Sequence, residues 1–227
     1  MKRGKKYRES LKKFNPDASF ELKEALALVK SAAYAKFDET VDLSVKVNLK
    51  KSQSVRDTVV LPNQFRSEKR VLVFCKPEKE KEAQDAGATF VGAEDLIEKV
   101  KGGCTDFDVA VATPDMMKDV GKLGMVLGRK GLMPNPKTGT VTFDLKGALA
   151  ELKKGRTEFR ADKTGVVHLA VGKVSMDSDK IAENVQIVVA EIKRKRPVDA
   201  KGDFIQTVSV SSTMGPGVWV AVRDEGV

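Results

Sequence analysis

The chain has 227 residues, 41% of them hydrophobic, and 41 Lys and Arg against 32 Asp and Glu, for a formal charge of +9. That is enough chain for one large or two ordinary domains with real cores. No run nears the roughly 18 apolar residues of a membrane span, and Met1-Lys2-Arg3-Gly4-Lys5-Lys6 leads into polar residues rather than a secretory signal. A cytoplasmic chain with no membrane partner is expected.

The positive balance favours an anionic partner such as nucleic acid. Residues 67–159 hold 16 basic and 15 acidic side chains, so the two flanks carry +8 of the +9. Residues 1–13 alone have seven Lys or Arg and one Glu, an arm that reads either as a solubilising tail or as a phosphate-binding extension. Ser19 is the expected N-cap of a helix whose Leu22, Leu26, Val29 and Ala33 make one apolar stripe. Val41, Leu43, Val45, Val47 and Leu49 alternate with Asp42, Ser44, Lys46 and Asn48, the period of a strand with one core face and one wet face. Thr58 to Leu61 is a second strand, ended by Pro62, and the polar run 63–70 reads as a linker.

A different pattern follows. Val71 to Phe74 is a continuous apolar strand, followed by a helix from Pro77 to Ala86, a strand at Thr89 to Val91, a helix from Ala93 to Lys101 and a strand from Phe107 to Ala112. Strands alternating with helices predict a small, mostly parallel α/β sheet. A helix from Gly147 to Lys154 closes this unit, and Thr157 to Ala161 reads as a second linker. Beyond it lie a strand at Gly165 to Val171 and a helix striped by Ile181, Val185, Val188 and Ile192 and stopped by Pro197. Phe204 to Val222 then reads as strand, turn, strand, with Val208 and Val210 on one face and Thr207, Ser209 and Ser211 on the other. Each flank would be a small core alone, so the two are expected to pair. The domains expected are residues 1–66 with 160–227, discontinuous, and 67–159, inserted.

Catalysis is not expected. His168 is the single histidine, which excludes a catalytic triad and multi-histidine metal sites, and nothing supplies Cys75 or Cys104 with a base; no metal or cofactor is expected. The two cysteines fit buried thiols of a reducing compartment. The Gly-rich stretch 121–139 raises the rival possibility of an α/β enzyme that binds a nucleotide. Pro136 stands where a phosphate loop needs a glycine N–H before its lysine, which argues against that rival. A rigid basic loop is expected instead, with Arg129, Lys130 and Lys137 either at phosphates or solvated. The run Lys193-Arg194-Lys195-Arg196 is explained as well by the dipole of a helix C-terminus as by RNA. His168, sharing a strand face with Val166 and Ala170, is expected to be a partly buried ring rather than a contact. Phe37 could stack on a base or staple its helix to the sheet, while Thr40 and Ser211, at strand ends, suit ribose and phosphate.

Phe37-Asp38-Glu39-Thr40-Val41, residues 128–141, Phe159 to Gly165 and Ser212-Thr213-Met214-Gly215-Pro216 together resemble, in order and across nearly the whole chain, the bacterial large-subunit ribosomal protein L-one family. The resemblance implies an α/β fold: a discontinuous α+β first domain with a mostly antiparallel sheet and two helices, and an inserted Rossmann-like α/β second domain. It implies a monomer when free, binding large-subunit ribosomal RNA at the lateral stalk, helping transfer RNA leave the exit site and repressing its own messenger RNA. The positions matching the family's principal RNA surface are Lys36, Phe37, Thr40, Lys163, Thr164, Gly165, His168, Thr207, Ser211, Thr213, Met214 and Gly215. Those matching its secondary RNA contact are Arg129, Lys130, Gly131, Asn135 and Lys137. The chain departs from the family pattern after Leu61-Pro62, at Gly128-Arg129-Lys130-Gly131 and in a shortened segment around residues 50–54.

Overall fold

The computed structural model describes residues 4–49, 55–66, 69–197 and 202–221. The segment around 50–54, the first three residues of the basic arm, part of the expected linker at 67–68, and Val222 lie outside them. In chain order the elements are α1 (Lys5–Leu11), β1 (Ser19–Phe20), α2 (Leu22–Ala32), β2 (Thr40–Val47), β3 (Arg56–Val60), β4 (Val71–Phe74) and α3 (Pro77–Asp85). Next come β5 (Phe90–Gly92), α4 (Glu94–Lys101), β6 (Val109–Ala112), α5 (Met117–Gly121), α6 (Gly124–Lys130) and α7 (Leu145–Lys153). The last are β7 (Arg156–Arg160), β8 (Val166–Lys173), α8 (Ser178–Arg194), β9 (Ile205–Ser212) and β10 (Gly217–Val220). The contacts divide the chain into two compact units, residues 1–65 with 157–227 and residues 66–156.

The first unit is built on a five-stranded sheet in the order β1-β10-β9-β2-β8, antiparallel except where β1 joins β10. The period-two pattern explains it: Val41, Leu43, Val45, Val47, Val208, Val210, Val218 and Val220 all face one side and are buried. That side is covered by the stripes of α2 (Ala25, Leu26, Val29) and α8 (Ile181, Val185, Val188, Ile192), which share one core with it. Asn184, buried on α8, is satisfied by donating to the Val171 carbonyl at 2.8 Å and the Asn63 carbonyl at 2.9 Å. The other side of the sheet carries no helix among the described elements, so its residues remain wet.

Two expectations in this unit, at Ser19 and at Thr157 to Ala161, are corrected. Ser19 is not a helix cap but half of the short strand β1, because pairing with Trp219 and Val220 satisfies its backbone, and α2 starts after Glu21. Within the basic arm, residues 5–11 are helical, and Ser10 is buried with its hydroxyl donating to the Ala32 carbonyl at 2.9 Å. Lys13 donates to the Ser31 carbonyl at 2.5 Å, so one of the arm's charges serves the C-terminal end of α2. Thr157 to Ala161 is no open linker: β7 pairs with β3, Phe159 is buried, and the Ala161 N–H donates to the Val55 carbonyl at 2.8 Å.

The second unit has a parallel sheet in the order β5-β4-β6. All four residues of β4 are buried, as a strand covered on both faces requires. Val71, Val73 and Cys75 pack with Ala83 of α3 and with Leu145, Leu149 and Leu152 of α7. Leu72 and Phe74 pack on the opposite side with Ile97, Val100, Val120 and Leu127 from α4, α5 and α6. Cys104 corrects the buried-thiol expectation: it is exposed, and only Cys75 is buried.

Candidate nucleic-acid interface

The sheet's wet face is defined by register. Three rows cross β9, β2 and β8: Ser211, Asp42 and Ala170; Ser209, Ser44 and His168; Thr207, Lys46 and Val166. His168 is exposed in the middle row with its Nδ1 2.9 Å from Ser44 Oγ. The expectation of a partly buried ring is therefore wrong, because the helices cover the opposite side of β8.

At one end of the face, Thr40 and the turn after Ser212 are tied together. The Thr40 N–H donates to Thr213 Oγ1 at 2.9 Å, the Thr213 N–H donates to the Thr40 carbonyl at 3.0 Å, and Thr213 Oγ1 donates to that same carbonyl at 3.2 Å. Beneath them lies Glu39, only 1% exposed. Its Oε1 accepts from the N–H groups of Tyr34 at 3.0 Å and Ala35 at 2.8 Å, and its Oε2 accepts from Met214 N–H at 3.1 Å. Tyr34 completes the brace by donating its hydroxyl to the Met214 carbonyl at 2.9 Å. Burial pushes the Glu39 carboxyl upward, but the adjacent Ser212 hydroxyl and the three N–H groups hold it below the ordinary carboxylate value. The Ser212 oxygen, though buried beside this carboxylate, meets no partner in strict hydrogen-bond geometry. Gly215 is held close as well: a Cβ there would lie 2.4 Å from Ser212 Oγ.

Above this braced backbone, Lys36, Thr213 and Met214 are exposed, and Phe37 is 56% exposed. The alternative in which Phe37 staples its helix to the sheet is not what the fold shows. Asp38 faces away from the turn, accepting from the Ser175 hydroxyl at 2.8 Å and the Ser175 N–H at 3.2 Å, which holds its carboxyl below the usual range.

Lys163, Thr164 and Gly165 lie at the other end. Asp162 organises their turn, its Oδ1 accepting from Val166 N–H at 2.8 Å, Thr164 Oγ1 at 2.7 Å and Thr164 N–H at 2.8 Å; these bonds, Val166 first, lower its pKa. Gly165 has φ +77°, and a Cβ there would stand 2.7 Å from the Val47 carbonyl oxygen, so only glycine fits. Thr207 sits beside Lys46 at this end. From Thr40 to Lys46 is six strand residues, about 20 Å. The twelve candidate positions thus gather at the two ends of one face, with His168 between them.

The second unit's candidates are arranged differently. The first part of the expected glycine loop is helix: Gly124 and Gly128 belong to α6, and Gly131 ends it in the left-handed conformation at φ +71°. Arg129 and Lys130 are exposed on its last turn, and Lys130 Nζ bonds Thr105 Oγ1. Asn135 anchors the following loop through its backbone, its N–H donating to Thr140 Oγ1 at 2.8 Å and its carbonyl accepting from Thr138 Oγ1 at 3.0 Å. The side chain of Lys137 lies outside what is described.

Sequence reasoning missed Glu39. A carboxylate between Asp38 and Thr40 reads as surface, and its partner Met214 is 175 positions away, so nothing local marks it as a buried brace.

A family model described as "Ribosomal protein L1p/L10e family" matches residues 28–216. The chain is 67% identical over 220 residues to the large ribosomal subunit protein uL1 of Treponema denticola, covering 97% of each chain. It is 60% identical over 225 residues to the protein of that name from Treponema pallidum, covering 99% of this chain and 100% of the relative. With the Borrelia hermsii protein, also named uL1, it shares 58% identity over 217 residues, 96% of this chain and 97% of the other.

Proposed function

The chain belongs to the ribosomal protein L1p/L10e family, and we propose that this constituent of the large ribosomal subunit holds ribosomal RNA on the open sheet face of its discontinuous unit. The observation that carries the reading is the braced turn at Thr40 and Thr213. Its backbone is held by a buried carboxylate and its Thr213 hydroxyl by the Thr40 backbone, so it presents a pre-shaped, uncharged surface to a rigid partner, with Phe37 free to stack. Ribose and phosphate are read by such groups through shape, while the basic flanks supply attraction. Residues 1–66 with 160–227 form the RNA-binding domain in this reading, and 67–159 add a secondary contact at Arg129, Lys130, Gly131, Asn135 and Lys137.

Two finer roles follow from the family resemblance. The RNA-bound protein assists release of exit-site transfer RNA, and the same surface, meeting a matching shape in its own messenger RNA, represses translation. The chain acts by binding, as a ribosomal and therefore cytoplasmic monomer when free.

The test is the affinity of Thr213→Val and Gly215→Ala for deproteinised large-subunit ribosomal RNA at fixed salt. Neither removes a charge. Thr213→Val leaves the Thr40 N–H without its acceptor, and an alanine Cβ at Gly215 displaces the Ser212 hydroxyl. Each should weaken binding by on the order of 1–3 kcal/mol; unchanged affinity in both refutes the site.

A further inference from the structure

Trp219 is the one tryptophan of the chain, and its side chain has no part in the contacts described above. Its strand neighbours Val218 and Val220 are buried in the core, whereas Trp219 is 42% exposed on the open side. Register places it in the middle row of that face: Ser19 of β1, Trp219 of β10, Ser209 of β9, Ser44 of β2 and His168 of β8 follow one another across five strands. In the next row Thr207 stands opposite Lys46. Asp42 is the single carboxylate in the five strands of this sheet.

A large aromatic ring therefore lies in a field of hydroxyls, an imidazole and an ammonium, almost free of negative charge. A protein partner would favour contiguous apolar area at this point, and the row supplies hydroxyls instead. An unpaired nucleobase suits it better: its flat face stacks on an indole, and its edges, ribose and phosphate take hydrogen bonds from hydroxyls and cations. Trp219 is also two strand residues from Gly217, which pairs with Ser211, so it lies about 7 Å along the strand from the braced turn.

We propose that Trp219 is a stacking platform for an unpaired base of the bound RNA, carrying the contact from the Thr213 end onto the middle of the sheet. This rests on the reading of the face as an RNA site, and the experiment separates the two. The full chain is titrated with deproteinised large-subunit ribosomal RNA at fixed salt, following the emission of Trp219 and the affinities of Trp219→Phe, Trp219→Leu and Thr213→Val. Binding should quench the emission. Trp219→Leu should bind about 5- to 150-fold more weakly, the span of base–aromatic stacking, and Trp219→Phe should stay within a few-fold of the parent. Should Trp219→Leu fail to fold, the quench and the Trp219→Phe affinity decide. RNA binding that is sensitive to Thr213→Val but leaves the emission and the Trp219→Leu affinity unchanged overturns the platform and spares the RNA site. Emission that changes only in the complete subunit, with its proteins, overturns it in favour of a protein neighbour. No binding of the RNA by the parent chain overturns both.

Discussion

Two glycine- and proline-bearing turns of this chain are built on different principles. The turn at 212–217 has no charged residue, yet its backbone is tied to Thr40, Tyr34 and a buried Glu39. The segment at 128–139 is basic, but Arg129 and Lys130 project from the last turn of a helix and Gly131, which ends that helix, bends in open space. Charge density finds the second and overlooks the first. A surface that discriminates is recognised by what holds it from beneath, because rigid hydroxyl and backbone groups lose little freedom on binding whereas mobile ammonium groups give attraction without shape.

The sharpest way to break this contrast is Glu39→Ala. Removing the carboxylate leaves the N–H groups of Tyr34, Ala35 and Met214 without their acceptor, and urea unfolding should show a loss of about 3 kcal/mol. RNA affinity should fall along with it; a neutral variant would mean that the turn holds its shape unaided. Gly165→Ala against Gly131→Ala comes next. Both glycines have positive φ, but only at Gly165 would a Cβ meet backbone, 2.7 Å from the Val47 oxygen. We expect losses of about 2 kcal/mol and about 1 kcal/mol respectively by thermal unfolding, and equal losses would remove the distinction.

Acid sharpens the role of Glu39. Its folded pKa lies below the ordinary value, so the stability it contributes is fully present above the unfolded carboxylate range, near 4.3, and is lost as pH falls through the folded pKa. The gap in urea midpoint between the parent and Glu39→Gln should therefore narrow from pH 6 to pH 3. The smallest effect is expected from Arg129→Ala with Lys130→Ala. Stability should move by less than about 0.5 kcal/mol, and any change in RNA affinity should shrink as salt is raised; a large, salt-independent loss would make this helix end a shaped site too.

Much of the fold was legible because burial leaves a period. The alternation at 41–47 and 208–210, the stripes of α2 and α8 and the continuous apolar run of β4 are consequences of one-sided or two-sided covering, and the chain's family follows from motifs spread along its length. Short pieces were misread where pairing overrode local signals: Ser19 looks like a cap but completes β1, and Gly124 and Gly128 look like a loop but lie in α6. The amino-acid sequence by itself determined which residues turn inward, the change from one pattern to another near residue 70 and the uncharged character of the last turn. Only the tertiary structure decided that Glu39 is a brace, that His168 stands on an open face and that Trp219 shares its row. Those facts depend on strand register and on partners as far apart as Glu39 and Met214 or Ser19 and Trp219, and no local period encodes which strand lies beside which.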